Sequence, residues 1–423
     1  MHDVSIAGKV APLDVVACRK QFPALAREIG GRSAVYFDGP AGSQVPLSVI
    51  DAISRYLVEC NANHGGLFAT SLDSDRMLAT AREAVADFLG TGDPNLVAFG
   101  ANMTTLTFAL SRALARTWKT DDEIIVTRLD HDANVTPWVL AARDAGATVR
   151  HLSVRPDDCT LDLDEFRALL SPRTRLVAVG CASNAVGTVN PVTEMVELAH
   201  QTGALVFLDA VHYAPHRLID VDGWGCDFLA CSAYKFFGPH VGVLWGRREL
   251  METLPAYKLR PAGDMLPDRW MTGTQSHEGI AGTLAAVEYL ADLGRSVDPS
   301  RAARRAAITA AFAAITTYET QLAARLLSGL AELPRFAVWG IPGTARLGER
   351  VPTVAIKHAE LTARDVAARL AEQGIFVWHG NFYALPLTEA LGLEPEGVVR
   401  IGLLHYNTTD EVDRLLAALA ELG

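Results

Sequence analysis

Phe228-Leu229-Ala230-Cys231-Ser232-Ala233-Tyr234-Lys235-Phe236-Phe237-Gly238-Pro239-His240-Val241-Gly242-Val243-Leu244-Trp245-Gly246 is the stretch that decides the fold. Its apolar ends, 227–231 and 241–245, read as short strands. Between them Gly238 and Pro239 make a tight turn that holds Lys235 just past the first strand. A parallel case lies upstream, where Leu205-Val206-Phe207-Leu208 runs straight into Asp209. In an α/β sheet, ligands sit beyond the carboxyl ends of the strands. Spacing alone leaves two readings of the acid and the lysine open: a structural ion pair, or a reactive pair.

Outward from this stretch the chain alternates. Helices are expected at 75–90, 103–116, 134–145, 162–170 and 192–202. Strands are expected at 96–99, 123–127, 147–152, 174–181 and 204–208. Runs such as Leu176-Val177-Ala178-Val179 are apolar without a break, as strands buried on both faces are. The implied fold is α/β, a mostly parallel sheet with helices on each side. After about residue 295 the pattern changes to long helices over 300–332, spaced strands at 335–339, 353–357, 375–378 and 398–403, and a closing helix at 408–421. The expected division is an N-terminal arm and helix packing with the small domain (1–35), a large ligand-binding domain (36–300) and a smaller α+β domain (301–423). Within the arm, a helix is expected from Leu13 to Glu28 and a strand at 34–38.

The composition removes several classes of function. The 423 residues are 49% hydrophobic and 21% charged, a globular balance that excludes disorder as the main description. Lys+Arg number 38 against 49 Asp+Glu, a formal net charge of −11, which argues against a nucleic-acid-binding surface. No window offers the roughly 20 unbroken apolar residues of a membrane span, and the first residues do not read as a secretory signal. The six cysteines form no C-x-x-C pair, so neither a zinc knuckle nor a disulfide scaffold is indicated. The expectation is a cytoplasmic protein with reduced thiols and no resident metal.

One chemistry uses a lysine and an acid at neighbouring strand ends. Pyridoxal 5′-phosphate needs a lysine for its Schiff base and a carboxylate at its pyridine nitrogen, so that the ring can absorb a carbanion's electrons. The motif around Lys235 resembles the lysine signature of the class V aminotransferase family, fold-type-I pyridoxal-phosphate enzymes, and most of all its cysteine desulfurase and selenocysteine lyase branch. Further matches follow in the family's order. They are Y-F-D-G-P-A-G-S-Q at 36–44, L-D-H-D-A-N-V-T-P-W at 129–138, A-S-N-A-V-G-T at 182–188, M-T-G-T-Q at 271–275 and V-R-I-G at 399–402.

The resemblance implies a seven-stranded, mostly parallel sheet and a role for each matched residue. Lys235 would hold the cofactor aldehyde and shuttle protons at the substrate Cα. Asp209 would pair with the pyridine nitrogen, His131 would stack on the ring, and Asn184 and His212 would hydrogen-bond its phenolic oxygen. Asn102, Met103 and Thr104 stand at the family's phosphate turn, which offers helix N-terminal N–H groups. Ser232 and Tyr234 are further phosphate donors. Thr274 resembles the residue that reaches the phosphate from a neighbouring subunit, implying a homodimer with shared active sites. Arg400 would clamp the substrate α-carboxylate. Ala41, His64 and Tyr383 fall on the substrate side, with His379 and the 257–270 loop as further candidates. A metal site of Asp209, His212 and His216 is disfavoured by Pro215 between the histidines.

The resemblance breaks at one place. Desulfurases carry a nucleophilic cysteine on a small-domain loop, whose thiolate takes the substrate sulfur. The matching stretch, Val377 to Pro386, has Tyr383 at that position, and no cysteine follows Cys231. The expected activity is a pyridoxal-phosphate enzyme acting on a small amino acid through Cα deprotonation, most simply a lyase that breaks a C–S or other β bond. An aminotransferase and an epimerase begin with the same proton and stay open, as does a cofactor-binding protein without turnover.

Overall fold

The computed structural model describes residues 11–422. Residues 1–10, the start of the expected arm, lie outside the described residues. The large sheet has seven strands: β1 Val97–Gly100, β2 Glu123–Thr127, β3 Thr148–Leu152, β4 Thr174–Gly180, β5 Leu205–Asp209, β6 Phe228–Ser232 and β7 Gly242–Gly246. Their spatial order is β1-β7-β6-β5-β4-β2-β3. β7 runs antiparallel to both its neighbours, and the other pairings are parallel. The unbroken apolar runs follow from this position. Val177, Val206, Leu208 and Leu229 point into one core, and Leu176, Ala178, Phe207 and Phe228 into the other. Successive strand side chains alternate faces, so a strand covered on both sides has no solvent-facing position.

The small domain has a four-stranded antiparallel sheet, β8 Phe336–Trp339, β9 Thr353–His358, β10 Trp378–Gly380 and β11 Val398–Gly402, in the order β8-β9-β11-β10. The helix Arg304–Ala331 belongs to two cores at once. Its first half packs Ile308, Phe312 and Ile315 against the large domain, and its second half packs Leu322, Leu326 and Leu330 into the small one. Val35 and Phe37 also enter the small-domain core, and Val35–Tyr36 pairs in parallel with Ile375–Phe376.

The expected strands match to within a residue or two, and the helices depart in several places, among them Ala363–Glu372, which had no counterpart in the sequence reading. The arm helix is only Val15–Lys20, followed by a 3₁₀ turn at Pro23–Ala26, because Pro23 has no N–H to continue the ladder. The helix expected from 75 begins at Ala69, and Leu47–Glu59 is a further helix. His277–Val297 is another, with no counterpart in the sequence reading. Its glycines lower helix propensity but permit close packing: a Cβ on Gly294 would lie 1.8 Å from the Ala307 carbonyl oxygen. Tertiary contact, not local preference, makes this helix.

Gly242 plays the same part beside the strand ends. A Cβ there would lie 2.4 Å from the Asn102 backbone, so β7 and the turn before Met103–Ala115 touch main chain to main chain. Gly242→Ala is expected to lower the unfolding free energy by about 1–3 kcal/mol, the usual overpacking cost. The readout is a lower urea midpoint at unchanged slope, and an unmoved midpoint would show that the turn yields freely.

Candidate active site

Five strand ends of the large domain, with two strands and a loop of the small domain, supply a single cavity of about 290 Å³, near the lower end of the range for ligand sites. β1 leads into Asn102, whose Oδ1 accepts the Thr105 N–H at 2.9 Å and caps the helix Met103–Ala115. The Met103 N–H donates to Ser232 Oγ at 2.9 Å, tying this helix start to the end of β6. β2 delivers Asp130 and His131, and β4 leads through Gly180 to Asn184. β5 ends on Asp209, whose Oδ1 accepts the Val211 N–H at 2.8 Å. Lys235 closes a 3₁₀ turn, Ala233–Lys235, after β6. From the small domain come Arg400 on β11, Trp378 on β10, and Phe382 and Tyr383 on the following loop.

The Lys235 amine is buried and donates to two carbonyls, Pro40 O and, at 3.0 Å, Ala41 O. Burial pulls its pKa from the ordinary lysine value to about 7, with Arg400 adding to the fall and Asp209 opposing it. The mirror effect raises Asp209 to about 6, because burial disfavours its carboxylate. Asp130 is pushed up to about 7 by burial and by Asp209, although it accepts the Gly180 N–H at 3.0 Å and Asn134 Nδ2 at 2.9 Å. Burial also lowers His131 to about 4 and keeps it neutral, with Nδ1 accepting the Ala133 N–H at 3.0 Å. Its ring stacks on Tyr383, centroids 5.4 Å apart. Arg400 Nη1 donates to the Asn184 carbonyl at 2.8 Å, and its guanidinium lies 4.0 Å over the Phe382 ring.

The structure brings together Ala41, Asn102, Met103, Thr104, His131, Asn184, Asp209, His212, Ser232, Tyr234, Lys235, Tyr383 and Arg400. It does not bring His64 there. The 60–66 loop is held elsewhere, by Ser71 Oγ on Asn63 O and by Asp75 facing the Gly65 N–H, so His64 lines a different groove. Thr274 lies in that same groove, outside its own chain's cavity. His379 is exposed on β10. Asp209, His212 and His216 do not converge as a ligand set: His212 Nε2 pairs with Thr353 Oγ1 at 3.0 Å and His216 Nδ1 with Glu319 Oε2 at 2.8 Å. Asp130, Trp378 and Phe382 line the cavity without having been singled out. Asp130 sits inside the 129–138 motif and was within reach of the sequence. Trp378 and Phe382 had no signal beyond their closeness to Tyr383.

The aminotransferase class V profile matches residues 35–415. A probable cysteine desulfurase of Synechocystis sp. is 33% identical over 421 residues, spanning 95% of this chain and 94% of the relative. The aminotransferase-like protein FGM3 of Gibberella zeae is 33% identical over 414 residues, spanning 95% and 96%. The apo structure of a cysteine desulfurase from Thermococcus onnurineus NA1 superposes with a TM-score of 0.85 at 28% identity, covering 96% of this chain and 97% of that one. The chain belongs to the class V aminotransferase family. It is therefore a pyridoxal-phosphate-dependent enzyme of the fold-type-I class.

The residues present fit that cofactor. A buried amine of lowered basicity suits Schiff-base formation. Around it Asn184 Oδ1, His212 Nδ1 and Arg400 Nε are buried with no partner among the described residues, and buried polar atoms ordinarily have one. Because Lys235 stands at about 7, its neutral fraction falls about tenfold per pH unit below that point and saturates above it. Capture of added pyridoxal phosphate by the apoprotein, followed by absorbance, is expected to accelerate up to about pH 7 and then level off. A rate still climbing near pH 10 would mark an ordinary lysine.

Proposed function

We propose that this enzyme is a lyase: it removes the Cα proton of a small amino acid and expels a β-substituent, without a protein persulfide. The observation that carries this reading is the loop over the cavity, which presents Phe382 and Tyr383 and no cysteine to accept sulfur. None of the six cysteines lines the cavity. The two nearest in sequence to its walls, Cys181 and Cys231, are buried and held as thiols, their pKa values raised by burial.

When bound, pyridoxal phosphate supplies an electron sink that makes the substrate Cα–H acidic. Lys235 would hold its aldehyde, Asp209 its pyridine nitrogen, and His131 its ring face. Asn184 and His212 would hold the phenolic oxygen. Asn102, Met103, Thr104, Ser232 and Tyr234 would hold the phosphate, the Met103 N–H through the Ser232 hydroxyl that accepts it, with Thr274 serving the site of a second copy in a homodimer. Arg400 would take the α-carboxylate. Phe382 covers one face of its guanidinium and leaves Nε free in the plane, the direction from which a carboxylate makes a forked contact.

Lys235 Nζ, in its neutral form, would accept the Cα proton. The β-substituent leaves with its bonding electrons, and one water releases the remainder as a 2-keto acid and ammonia. Ala41, beside the lysine, lines the same side of the cavity.

The test is product analysis on the purified holoenzyme with β-substituted alanines. Pyruvate and ammonia in equal amounts are expected. A requirement for a second keto acid would identify an aminotransferase, inverted configuration an epimerase, and sulfur found on a cysteine by mass spectrometry would restore the desulfurase reading. Lys235→Ala is expected to abolish the cofactor's aldimine absorbance and lower kcat by about 10²–10⁴-fold. Arg400→Lys is expected to raise KM about tenfold or more with a smaller change in kcat, since a lysine cannot make the forked contact.

A further inference from the structure

We propose that Trp378, Phe382 and Tyr383 form an aromatic collar that selects amino acids with an uncharged, apolar or aromatic side chain. The inference rests on the reading of Arg400 as the α-carboxylate clamp and goes beyond it to the side chain. Trp378 stands directly opposite Arg400 in the β10–β11 register, so its indole neighbours the clamp. Phe382 covers the guanidinium face at 4.0 Å, and Tyr383 stacks on His131 at 5.4 Å. A substrate held at Arg400 and Lys235 therefore meets aromatic surface.

The collar is fixed rather than loose. Phe382 and Tyr383 both hold left-handed backbone, φ 56° and 58°, which costs non-glycine residues energy and persists where the surroundings enforce it. Large-domain groups enforce it here. Asn184 Nδ2 donates to Phe382 O at 2.9 Å, and the Asp132 N–H donates to Tyr383 O at 2.7 Å. Asn381 Oδ1 accepts the Tyr383 N–H at 3.1 Å from within the loop. The collar leaves large apolar surface in water: Tyr383 is 73% exposed and Trp378 51%. An apolar occupant would cover it.

The charges argue the same way. The acids of the cavity, Asp130 and Asp209, lie at the ends of the large sheet, and its cations are Lys235 and Arg400. With Arg400 engaged by the α-carboxylate, the cavity lining on the collar side offers no further cation to a second carboxylate and no acid to an ammonium. A charged side chain would be desolvated against aromatic rings without a partner.

The experiment titrates the holoenzyme with L-alanine, L-phenylalanine, S-benzyl-L-cysteine, L-aspartate and L-lysine, reading the bound cofactor's absorption. Phenylalanine and S-benzyl-L-cysteine are expected to bind about tenfold or more tightly than alanine, and aspartate and lysine about tenfold or more weakly. Trp378→Ala and Tyr383→Ala should each bring the phenylalanine-to-alanine ratio toward one, and Tyr383→Arg should improve aspartate relative to alanine. Equal affinities, or a preference for aspartate or lysine, overturn the collar alone. No spectral response to any amino acid, alanine included, overturns the clamp reading and the collar with it.

Discussion

The removal of one lysine amine from water is the constraint on which the site depends. Lys235 faces two main-chain carbonyls and no directly paired acid, so desolvation dominates its charge state. That brings a strong base into the range where it is both nucleophilic and able to exchange protons near neutrality. The same dry environment raises Asp209 and Asp130 and lowers His131. Placed in water, these groups would return toward ordinary values.

Keeping the amine dry requires two domains. The large sheet presents its strand ends, and the segment Pro40–Ala41 lies across the lysine. The roof comes from the small domain, through Arg400 and the loop after β10. Three features hold the domains in this relation. The helix Arg304–Ala331 contributes to both cores. His212 beside Asp209 bonds Thr353 on β9. Asn184 of the large domain contacts both Arg400 and Phe382.

The proposed departure from desulfurase chemistry rests on that roof. The relatives named as cysteine desulfurases align over nearly the whole chain, and the floor of the cavity carries the residues that the shared cofactor needs. The proposed activity turns on the side chains of that one loop. A phenol cannot accept a sulfur atom as a thiolate does. The two strained aromatic residues there are tied to Asn184 and Asp132, so the rings of this loop are held by the large domain.

The sequence by itself determined the sheet and most of its ligand-facing ends. Buried parallel strands must be apolar throughout, and a polar residue that ends such a run, as Asp209 does, stands out at once. Lys235 was legible for that reason together with its motif, and His131, Asn184 and Arg400 only through the resemblance of their motifs. Other features were decided only in three dimensions. The helix His277–Val297 packs closely because Gly294 admits the Ala307 backbone, a gain that propensity cannot register. Phe382 and Trp378 reach the cavity because β10 pairs with β11 beside Arg400 and the loop takes left-handed backbone, neither of which composition announces. His64 looked equivalent to Tyr383 in the sequence, yet its loop is tied to Ser71 and Asp75 in another groove. Strand ends follow from local pattern, whereas the identity of what lies opposite them depends on how distant segments pack.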